Sequence, residues 1–248
     1  MRVAALYDVH GNLPALEAVL DQVHASAVDL VVVGGDVIPG PMPSESLALL
    51  RELDRPVQFI MGNGDREVLA ERAGKPSTAI PEAFREVMRW NAAQISPEDA
   101  EFIAAWPAHF SLEIDQLGDV LFCHATPQSD NTIFTRQTHD KRLEAMFEGI
   151  AEPMVVCGHT HMQFDLHVGG VWVVNAGSVG MPFGEPGAYW LMLGPEVNLI
   201  RTAYDVHRAA QRIAATQYPQ ASAFAASNVV HPPTERAMLE AYARIEPS

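Results

Sequence analysis

The chain has 248 residues, of which 48% are hydrophobic, so it is long enough to bury the core of one large domain. Its 31 acidic residues outnumber 16 lysines and arginines, and the formal net charge of -15 argues against a protein that binds nucleic acid non-specifically through phosphates. We expect a single domain over residues 1–248 and no non-specific nucleic-acid binding.

The N-terminal apolar stretch, MRVAALYD, is too short for a signal peptide and ends at once in Asp8. The longest apolar runs, such as LVVV at 30–33, fall far short of the ~20 residues that a membrane-spanning helix needs. The two cysteines, Cys123 and Cys157, lie in apolar strand-like runs and are expected to be reduced core thiols, with a disulfide as the alternative. We expect a soluble cytoplasmic protein with no membrane partner.

The first sixty residues alternate between strand and helix patterns. They predict βαβ units, with strands at 2–8, 29–36 and 56–62 and a first helix at 13–23. The second helix is expected to run from a cap at Ser44 to about Leu53, since serine is a favourable N-cap.

The pattern breaks at residues 76–81, which begin and end with proline. Two helical segments follow, at 81–94 and 96–106, and they open with proline or with Ser-Pro. We expect these segments to form a helical insertion at about 81–106.

From His109 onward the sequence has the texture of β-structure. Seven strand patterns are HFSLEID, DVLFCHA, MVVCGH, FDLHV, VWVVNAG, YWLML and VNLI, with a helical stretch near 138–148 between the second and the third. A helical tail is expected at about 204–248. Strands that alternate with helices, followed by a strand-rich half, predict an α/β fold of two packed sheets with helices outside.

Five polar sets follow apolar strand-like runs, where open α/β sheets build their sites. In chain order they are Asp8 with His10, Gly34-Gly35-Asp36, Gly62-Asn63, His124, and Gly158-His159-Thr160-His161. Each of the first four is weak alone, because Asp and Asn serve often in turns and a lone His at a strand end is more often structural. The fifth is more specific, because two imidazoles in an irregular turn can face different metal ions.

Together these sets, D-x-H, G-D, G-N, H and G-H-x-H, resemble the calcineurin-like metallophosphoesterase family. The motifs run from Asp8 to His161, and the later strands with NAGSVGMP at 175–182 are similar to the small prokaryotic phosphodiesterase branch of that family. Residues 204–248 are not covered. The resemblance implies the metallo-dependent phosphatase fold, a four-layer αββα sandwich of two mixed sheets flanked by helices.

The resemblance also implies a site for two divalent metal ions. It places Asp8, His10 and His161 on one ion and Asn63, His124 and His159 on the other. Asp36 bridges both ions. Imidazole, carboxylate and amide ligands fit Mn, Fe, Zn or Ni better than calcium. Two carboxylates leave the two ions a surplus of about two positive charges, which suits a small phosphate ester.

The implied activity is hydrolysis of phosphodiesters by attack of a metal-bridging hydroxide. One alternative is a phosphomonoesterase of the protein phosphatase or diadenosine tetraphosphate hydrolase type, since the same metal site serves all of them. Another is a non-catalytic metal-binding scaffold, as in the retromer subunit that shares the fold. All seven ligand positions are filled, which favours an enzyme. The sequence leaves open whether the chain forms a homo-oligomer.

One position departs from the family pattern. The family usually has a histidine after the Asn, held to protonate the leaving group, and here that position is Gly64. Another group, the metal-bound water network, or a leaving group that hardly needs a proton must compensate. His139 is a candidate replacement, so the candidate catalytic residues are Asp36, Asn63 and His139.

Two nearby residues carry alternatives of their own. For His139 the alternative is a place in the first turn of a helix capped by Thr138. Asp65 is expected either to cap a helix that begins at Arg66 or to support the metal ligands from behind.

Overall fold

The computed structural model describes residues 1–76 and 82–245, so most of the predicted break at 76–81 lies outside the described residues. The strands are β1 Val3–Leu6, β2 Leu30–Val33, β3 Val57–Phe59, β4 His109–Ile114, β5 Gly118–Cys123, β6 Met154–Cys157, β7 Gln163–Val168, β8 Val171–Ala176, β9 Ala188–Leu193 and β10 Val197–Thr202. All seven strand patterns predicted after His109 are present.

The α-helices are α1 Leu13–Ala25, α2 Pro43–Arg51, α3 Asn63–Arg72, α4 Glu82–Gln94, α5 Pro97–Ala104, α6 Asp140–Met146, α7 Val206–Ala214, α8 Ala221–Phe224 and α9 Glu235–Ile245. A π-helical segment, Ala225–Val230, continues α8 directly. Within the described ranges, no helix has the length and apolar character needed to cross a membrane.

The strands form two mixed sheets of five strands each. The first has the order β10-β9-β1-β2-β3, in which β1 to β3 are parallel to one another and β9 is antiparallel to both of its neighbours, β1 and β10. The second has the order β4-β5-β6-β8-β7, in which the three central strands are parallel and both edge strands antiparallel. Each sheet therefore contains three adjacent parallel strands, β1 to β3 in the first and β5, β6 and β8 in the second. The carboxyl ends of the three strands lie at the same end of each sheet.

Successive side chains of a strand point to opposite faces of its sheet, so each sheet packs against the other sheet on one face and against helices on the other. In β1, Val3 and Ala5 belong to a buried cluster with Phe122 and Val156 of the second sheet. The intervening Ala4 faces a different cluster that includes residues of α1 and α2. On the far side of the second sheet, a third cluster joins its outer face to α6 and α9. This arrangement confirms the predicted four-layer αββα sandwich.

The start of helix α2 differs from the sequence prediction. The helix begins at Pro43 with Met42 at the N-cap, two residues before the predicted cap at Ser44. Proline suits the first helical turn because its missing N–H has no partner there anyway. Ser44 instead donates its hydroxyl to the carbonyl of Gln94, which ties α2 to the end of α4.

The two predicted helical regions outside the sheets share a core. Val87 of α4 is buried with Ile213, Tyr218, Phe224 and Val229 of the C-terminal helices. The last helix, α9, packs on the other side of the molecule, in the cluster that covers the second sheet. The tail therefore contacts both helix layers.

The two cysteines lie on the outer face of the second sheet and are buried. Both are free, so the predicted core thiols are confirmed and the disulfide alternative is wrong. Burial raises the pKa of the Cys123 thiol, which keeps it protonated and unreactive.

Candidate metal centre

The polar residues singled out in the sequence lie at the carboxyl ends of parallel strands from both sheets. The residues that follow β1, β2, β3, β5 and β6 are Asp8 and His10, Asp36, Asn63, His124, and His159 with His161. The edges of the two sheets meet here, and all seven predicted ligand positions come from these five strand ends.

The backbone at this edge is unusually strained. Positive φ angles occur at Asp8 (54°), His10 (47°), Asp36 (52°), His159 (66°) and His161 (58°). A residue with a Cβ in this region costs about 1–3 kcal/mol and persists only where surrounding contacts hold it. The amide of His10 donates to the carbonyl of Asp36 at 2.8 Å, which is one such contact. Strain of this kind concentrates at functional sites.

Three imidazoles are oriented in the same way. The Nδ1 atoms of His10, His124 and His161 lie 3.1, 2.8 and 2.8 Å from the carbonyls of Pro39, Gly34 and Met181. A carbonyl can only accept, so each Nδ1 donates, and in a neutral imidazole the Nε2 lone pair then faces the site. This is the orientation that metal-binding histidines adopt.

Two carboxylates complete the arrangement. Oδ2 of Asp36 lies 3.8 Å from Nε2 of His10, and its Oδ1 lies 3.7 Å from Nε2 of His124. Oδ1 of Asp8 lies 3.3 Å from Nε2 of His161. Oδ1 of Asp8 is also 3.8 Å from Nε2 of His10 and 3.9 Å from Nε2 of His124, so both carboxylates lie between the two halves of the site. Asp8 has no exposed surface.

The donor atoms fit metal ions. The potential ligand atoms of Asp8, His10 and His161 lie within 4.8 Å of one another, and so do those of Asp8, Asp36 and His124. Oδ1 of Asp8 is buried without a hydrogen-bond partner, which is costly unless a cation satisfies it. The Nε2 atoms of His10 and His161 are 3.1 Å apart. Two lone pairs at that distance repel unless a cation lies between them.

The other two predicted ligands lie beside His124. Oδ1 of Asn63 is 3.1 Å from its Nε2, and the ring of His159 is 5.2 Å away between centroids. The backbone N–H of His159 donates to Oδ2 of Asp8 at 2.8 Å. Asn63 and His159 thus line the half of the site opposite His10 and His161.

The electrostatics differ among the imidazoles. Burial lowers the pKa of His124, but the carboxylates of Asp36 and Asp8 outweigh it and the pKa is raised. Burial, followed by the neighbouring His161, lowers the pKa of His10. Burial, followed by His124, lowers the pKa of His159 to about 4. Burial alone raises the pKa of Asp8, but the adjacent histidines outweigh it and the pKa is lowered. Neutral imidazoles and ionised carboxylates are the forms that bind metal.

The loop NAGSVGMP holds the first ligand loop in place. The hydroxyl of Ser178 and the amide of Gly180 both donate to the carbonyl of Asp8, at 2.8 and 3.0 Å. The side-chain amide of Asn175 donates to the carbonyl of Gly158 at 2.7 Å. The sequence marked this loop only by family likeness, because its contacts are with segments more than 15 residues away.

Glycine in the G-H-x-H motif has a packing reason. A Cβ on Gly158 would lie 2.5 Å from both Oδ2 of Asp8 and a ring carbon of Tyr7. The Tyr7 ring is buried between the sheets and donates its hydroxyl to the carbonyl of Val156. The loop carrying His159 and His161 can approach Asp8 only because residue 158 lacks a side chain.

The position of the absent histidine is filled by close packing. The N–H of Gly64 donates to Oδ1 of Asp36 at 2.6 Å. A Cβ on Gly64 would lie 2.7 Å from Cγ of Pro39 and 3.0 Å from Oδ1 of Asp36, so any side chain here requires a shift of its neighbours.

Asp65 is not the cap of a helix that begins at Arg66, as the sequence suggested, because α3 begins at Asn63. Its carboxylate accepts from the amides of Val37, Ile38 and Gly62 at 2.9, 3.0 and 3.3 Å. Burial and then the nearby Asp36 raise the pKa of Asp65 to about 7, against those hydrogen bonds. Asp65 therefore supports the loop after Asp36 from behind, which was the alternative expectation.

His139 has a structural role at a helix start. It is exposed and is itself the N-cap of α6, where its Nδ1 accepts from the amide of Lys141 at 3.3 Å. Thr138, the alternative cap, instead accepts from the amide of Thr135. The contacts described for His139 do not include any of the seven predicted ligands.

A family model for the calcineurin-like phosphoesterase superfamily domain matches residues 1–194, a range that contains all seven predicted ligands. The chain belongs to the calcineurin-like phosphoesterase superfamily. The resemblance drawn from the five motifs is confirmed, and with it membership in a family of phosphoric ester hydrolases that bind divalent metals.

Relatives extend the likeness beyond that range. A metallophosphoesterase from Sphaerobacter thermophilus superposes with a TM-score of 0.70 at 26% identity, covering 92% of this chain and 100% of that one. An uncharacterised protein of Methanocaldococcus jannaschii is 25% identical over 245 residues, covering 88% of this chain and 94% of its own. The symmetrical bis(5'-nucleosyl)-tetraphosphatase of Erwinia tasmaniensis is 27% identical over 152 residues, which are 59% of this chain and 52% of that enzyme.

In this phosphoesterase the centre opens into a cavity of about 400 Å³. His10, Asp36, Asn63 and Gly64 line one end of the cavity. Its other walls come from α4 and from the C-terminal helices, far from the ligands in sequence. No local pattern in the sequence pointed to this cavity.

Proposed function

We propose that this protein is a phosphodiesterase that uses two divalent metal ions. The observation that carries the proposal is the common orientation of His10, His124 and His161, each donating from Nδ1 to a carbonyl so that Nε2 faces the carboxylates. The partnerless Oδ1 of Asp8 supports it independently.

The ligand assignment follows the two halves of the site. Asp8, His10 and His161 would hold one ion, and Asn63, His124 and His159 would hold the other. Asp36 would contact both ions, since its two oxygens face His10 and His124 separately. When bound, two such ions supply a nucleophilic water and neutralise the phosphoryl oxygens.

The remaining chemistry belongs to the chain itself. Gly64 N–H and the Asp65 carboxylate fix the Asp36 loop, so the bridging carboxylate does not have to reorganise when substrate binds. The cavity beside Asn63 and Gly64 orients the ester group. Among the described residues that line it, the titratable ones are His10, Asp36 and Tyr218. Burial raises the pKa of Tyr218 to about 12, so it is a weak proton donor at neutral pH.

Charge favours a diester over the alternatives. No lysine or arginine is among the described residues that line the cavity. A diester carries one negative charge, whereas a monoester carries up to two and a dinucleoside tetraphosphate carries several. The likeness to the Erwinia tetraphosphatase keeps that activity as the second candidate, although the match spans about half of that enzyme.

The test is a substrate screen on protein with measured metal content. Metal-free protein is reconstituted with Mn, Fe, Zn or Ni and assayed on bis(p-nitrophenyl) phosphate, p-nitrophenyl phosphate and diadenosine tetraphosphate. We expect two ions per chain at full activity, loss of activity on chelation, and the highest kcat/KM on the diester. Full activity without metal contradicts the proposal, and a preference for the tetraphosphate selects the second candidate.

The buried free thiols of Cys123 and Cys157 support a further proposal, that the protein works in the reducing cytoplasm.

A further inference from the structure

The cavity next to the metal centre has the size of a small-molecule site. Its volume of about 400 Å³ falls within the ~300–1,000 Å³ typical of ligand pockets. One end is formed by His10, Asp36 and Asn63, so a molecule whose phosphate binds at the centre extends into it.

The wall away from the metal ligands is mainly apolar. It is formed by α4, the C-terminal helices and the loop after β8. Its main apolar residues are Phe84, Val87, Met88, Met181, Tyr218 and Phe224. Methionine side chains adapt to flat or irregular ligands and contact aromatic rings favourably. This composition suits an uncharged organic group rather than further phosphates.

Aromatic contacts hold this wall in shape. Tyr218 packs edge-to-face against Trp90 of α4 at 5.4 Å and against Phe224 at 6.0 Å between ring centroids. Phe224 and Tyr218 are buried, whereas Phe84 is 52% exposed at the cavity. The inner wall is therefore preorganised, and Phe84 has apolar surface left to bury against a ligand.

Polar groups enter the cavity from the π-helical segment. Ser227 and Asn228 both lie in Ala225–Val230 and line the cavity. Isolated π-helical turns occur frequently at functional sites, where the extra residue redirects side chains. An amide and a hydroxyl at this wall can hydrogen-bond the polar edge of an aromatic group.

We propose that this cavity binds a flat, uncharged aromatic group attached to a single phosphate held at the metal centre. The substrate class is an aryl or nucleoside phosphodiester. The proposal rests on the proposed function, because it places the phosphate between the two metal ions.

The test measures binding rather than turnover. Methylphosphonate and phenylphosphonate carry the same anionic group and resist hydrolysis, so their affinities for manganese-loaded protein, measured by calorimetry, differ only through the organic group. We expect phenylphosphonate to bind about tenfold or more tightly, the gain expected from burying a phenyl ring. In Phe84→Ala this ratio falls. In Leu199→Ala, which removes another partly exposed apolar side chain on β10, the ratio stays at the wild-type value.

A second variant acts from the C-terminal helices. Ala223 is exposed on α8 and lines the cavity, so Ala223→Trp adds bulk without removing a core contact. It should lower phenylphosphonate affinity more than methylphosphonate affinity. An adenine acyclic nucleoside phosphonate identifies the source of the ring. If it binds more tightly than phenylphosphonate, and loses that advantage in Asn228→Ala, the group is a nucleoside; the reverse order indicates a simple aryl ester.

The failures are distinguishable. If neither methylphosphonate nor inorganic phosphate binds the metal-loaded protein, the proposed phosphoesterase centre itself is wrong. If methylphosphonate binds and phenylphosphonate binds no more tightly, only the aromatic pocket is wrong. Tighter binding of methylenediphosphonate than of phenylphosphonate overturns the pocket in favour of a polyphosphate site.

Discussion

At the scale of single residues, Asp36 differs from Asp8 in how its two oxygens are used. They face His10 and His124 separately, and the residue is only 4% exposed. Asp36→Asn removes the bridging charge while preserving shape. We expect turnover to fall by more than about 100-fold, since changes even to residues behind metal ligands cost about 10- to 100-fold. The measurement is kcat per bound metal ion.

Cys123→Ser provides the matched control. Cys123 is buried directly beside His124 in sequence but makes no contribution to the proposed ligand set. It should retain near wild-type turnover per bound metal. Equal losses in both variants contradict the bridging role of Asp36.

Gly64 leads to a second prediction, on leaving groups. A general acid is worth about 10² to 10⁴ in rate, and neither His139 nor Tyr218 is suited to supply one. Rates measured across a series of aryl diesters should therefore fall steeply as the pKa of the leaving group rises. His139→Ala should not change that slope.

A flat dependence on the leaving group shows instead that protonation is not limiting. A steeper slope in His139→Ala identifies His139 as the acid despite its position. Gly64→His is a less clean probe than the sequence suggests, because its Cβ collides with Pro39 and weakens the packing of the Asp36 loop.

At the scale of elements, helix α4 reaches the centre through one buried side chain. Oδ1 of Asn91 accepts from the amide of Gly40 at 2.9 Å, and the adjacent Pro39 carbonyl accepts from His10. Asn91→Ala leaves the Gly40 amide without a partner and frees the loop that orients His10. We expect metal affinity to fall by about 10- to 100-fold.

Calorimetric titration with manganese measures this effect. Gln94→Ala is the control, since Gln94 is an exposed amide on the same helix. A purely structural role for Asn91 predicts a lower unfolding temperature with unchanged metal affinity. That outcome contradicts the positioning role.

The elements also show where sequence patterns are sufficient. Strands such as β2 and β6 were predicted because a short continuous run of apolar residues is typical of a parallel strand that is buried on both faces. Helix starts were predicted less well. Ser44 and Asp65 are good caps in isolation, but Ser44 donates to the Gln94 carbonyl, and Asp65 accepts from the amides of Val37 and Ile38 as well as from that of nearby Gly62. Apart from Gly62, these partners are distant in sequence, so local capping preferences could not reveal them.

The sequence likewise predicted some features of the site and not others. The motif residues could be named because each follows its strand directly, and the structure brings Asp8, His10, Asp36, His124 and His161 together. His139 stays a candidate on sequence proximity alone, because its described contacts are with its own helix start and not with a predicted ligand. The cavity was missed because its walls come from α4 and the tail, whose apolar residues have the ordinary spacing of packed helices.

At the scale of the whole molecule, metal binding should stabilise the fold. Each ion that binds only the native state adds about 2.7 kcal/mol at about 100 times its Kd, and for a chain of this size one such ion raises Tm by about 5–10 °C. Calorimetric scans with manganese and with chelator should show this difference. It should shrink in Asp36→Asn. An identical Tm in both conditions contradicts the metal centre.

The proposed ligands and part of the cavity wall lie in different segments of the chain, and this separation has an evolutionary consequence. The family domain ends at residue 194 and contains every proposed ligand, whereas Tyr218, Phe224, Ser227 and Asn228 of the cavity wall lie beyond it. Mutations in this last segment can change which ester is accepted while leaving the chemistry intact. Chains that share the domain but carry a different C-terminal segment are therefore expected to differ in substrate specificity and not in mechanism. Exchanging these segments between relatives is the direct way to transfer specificity.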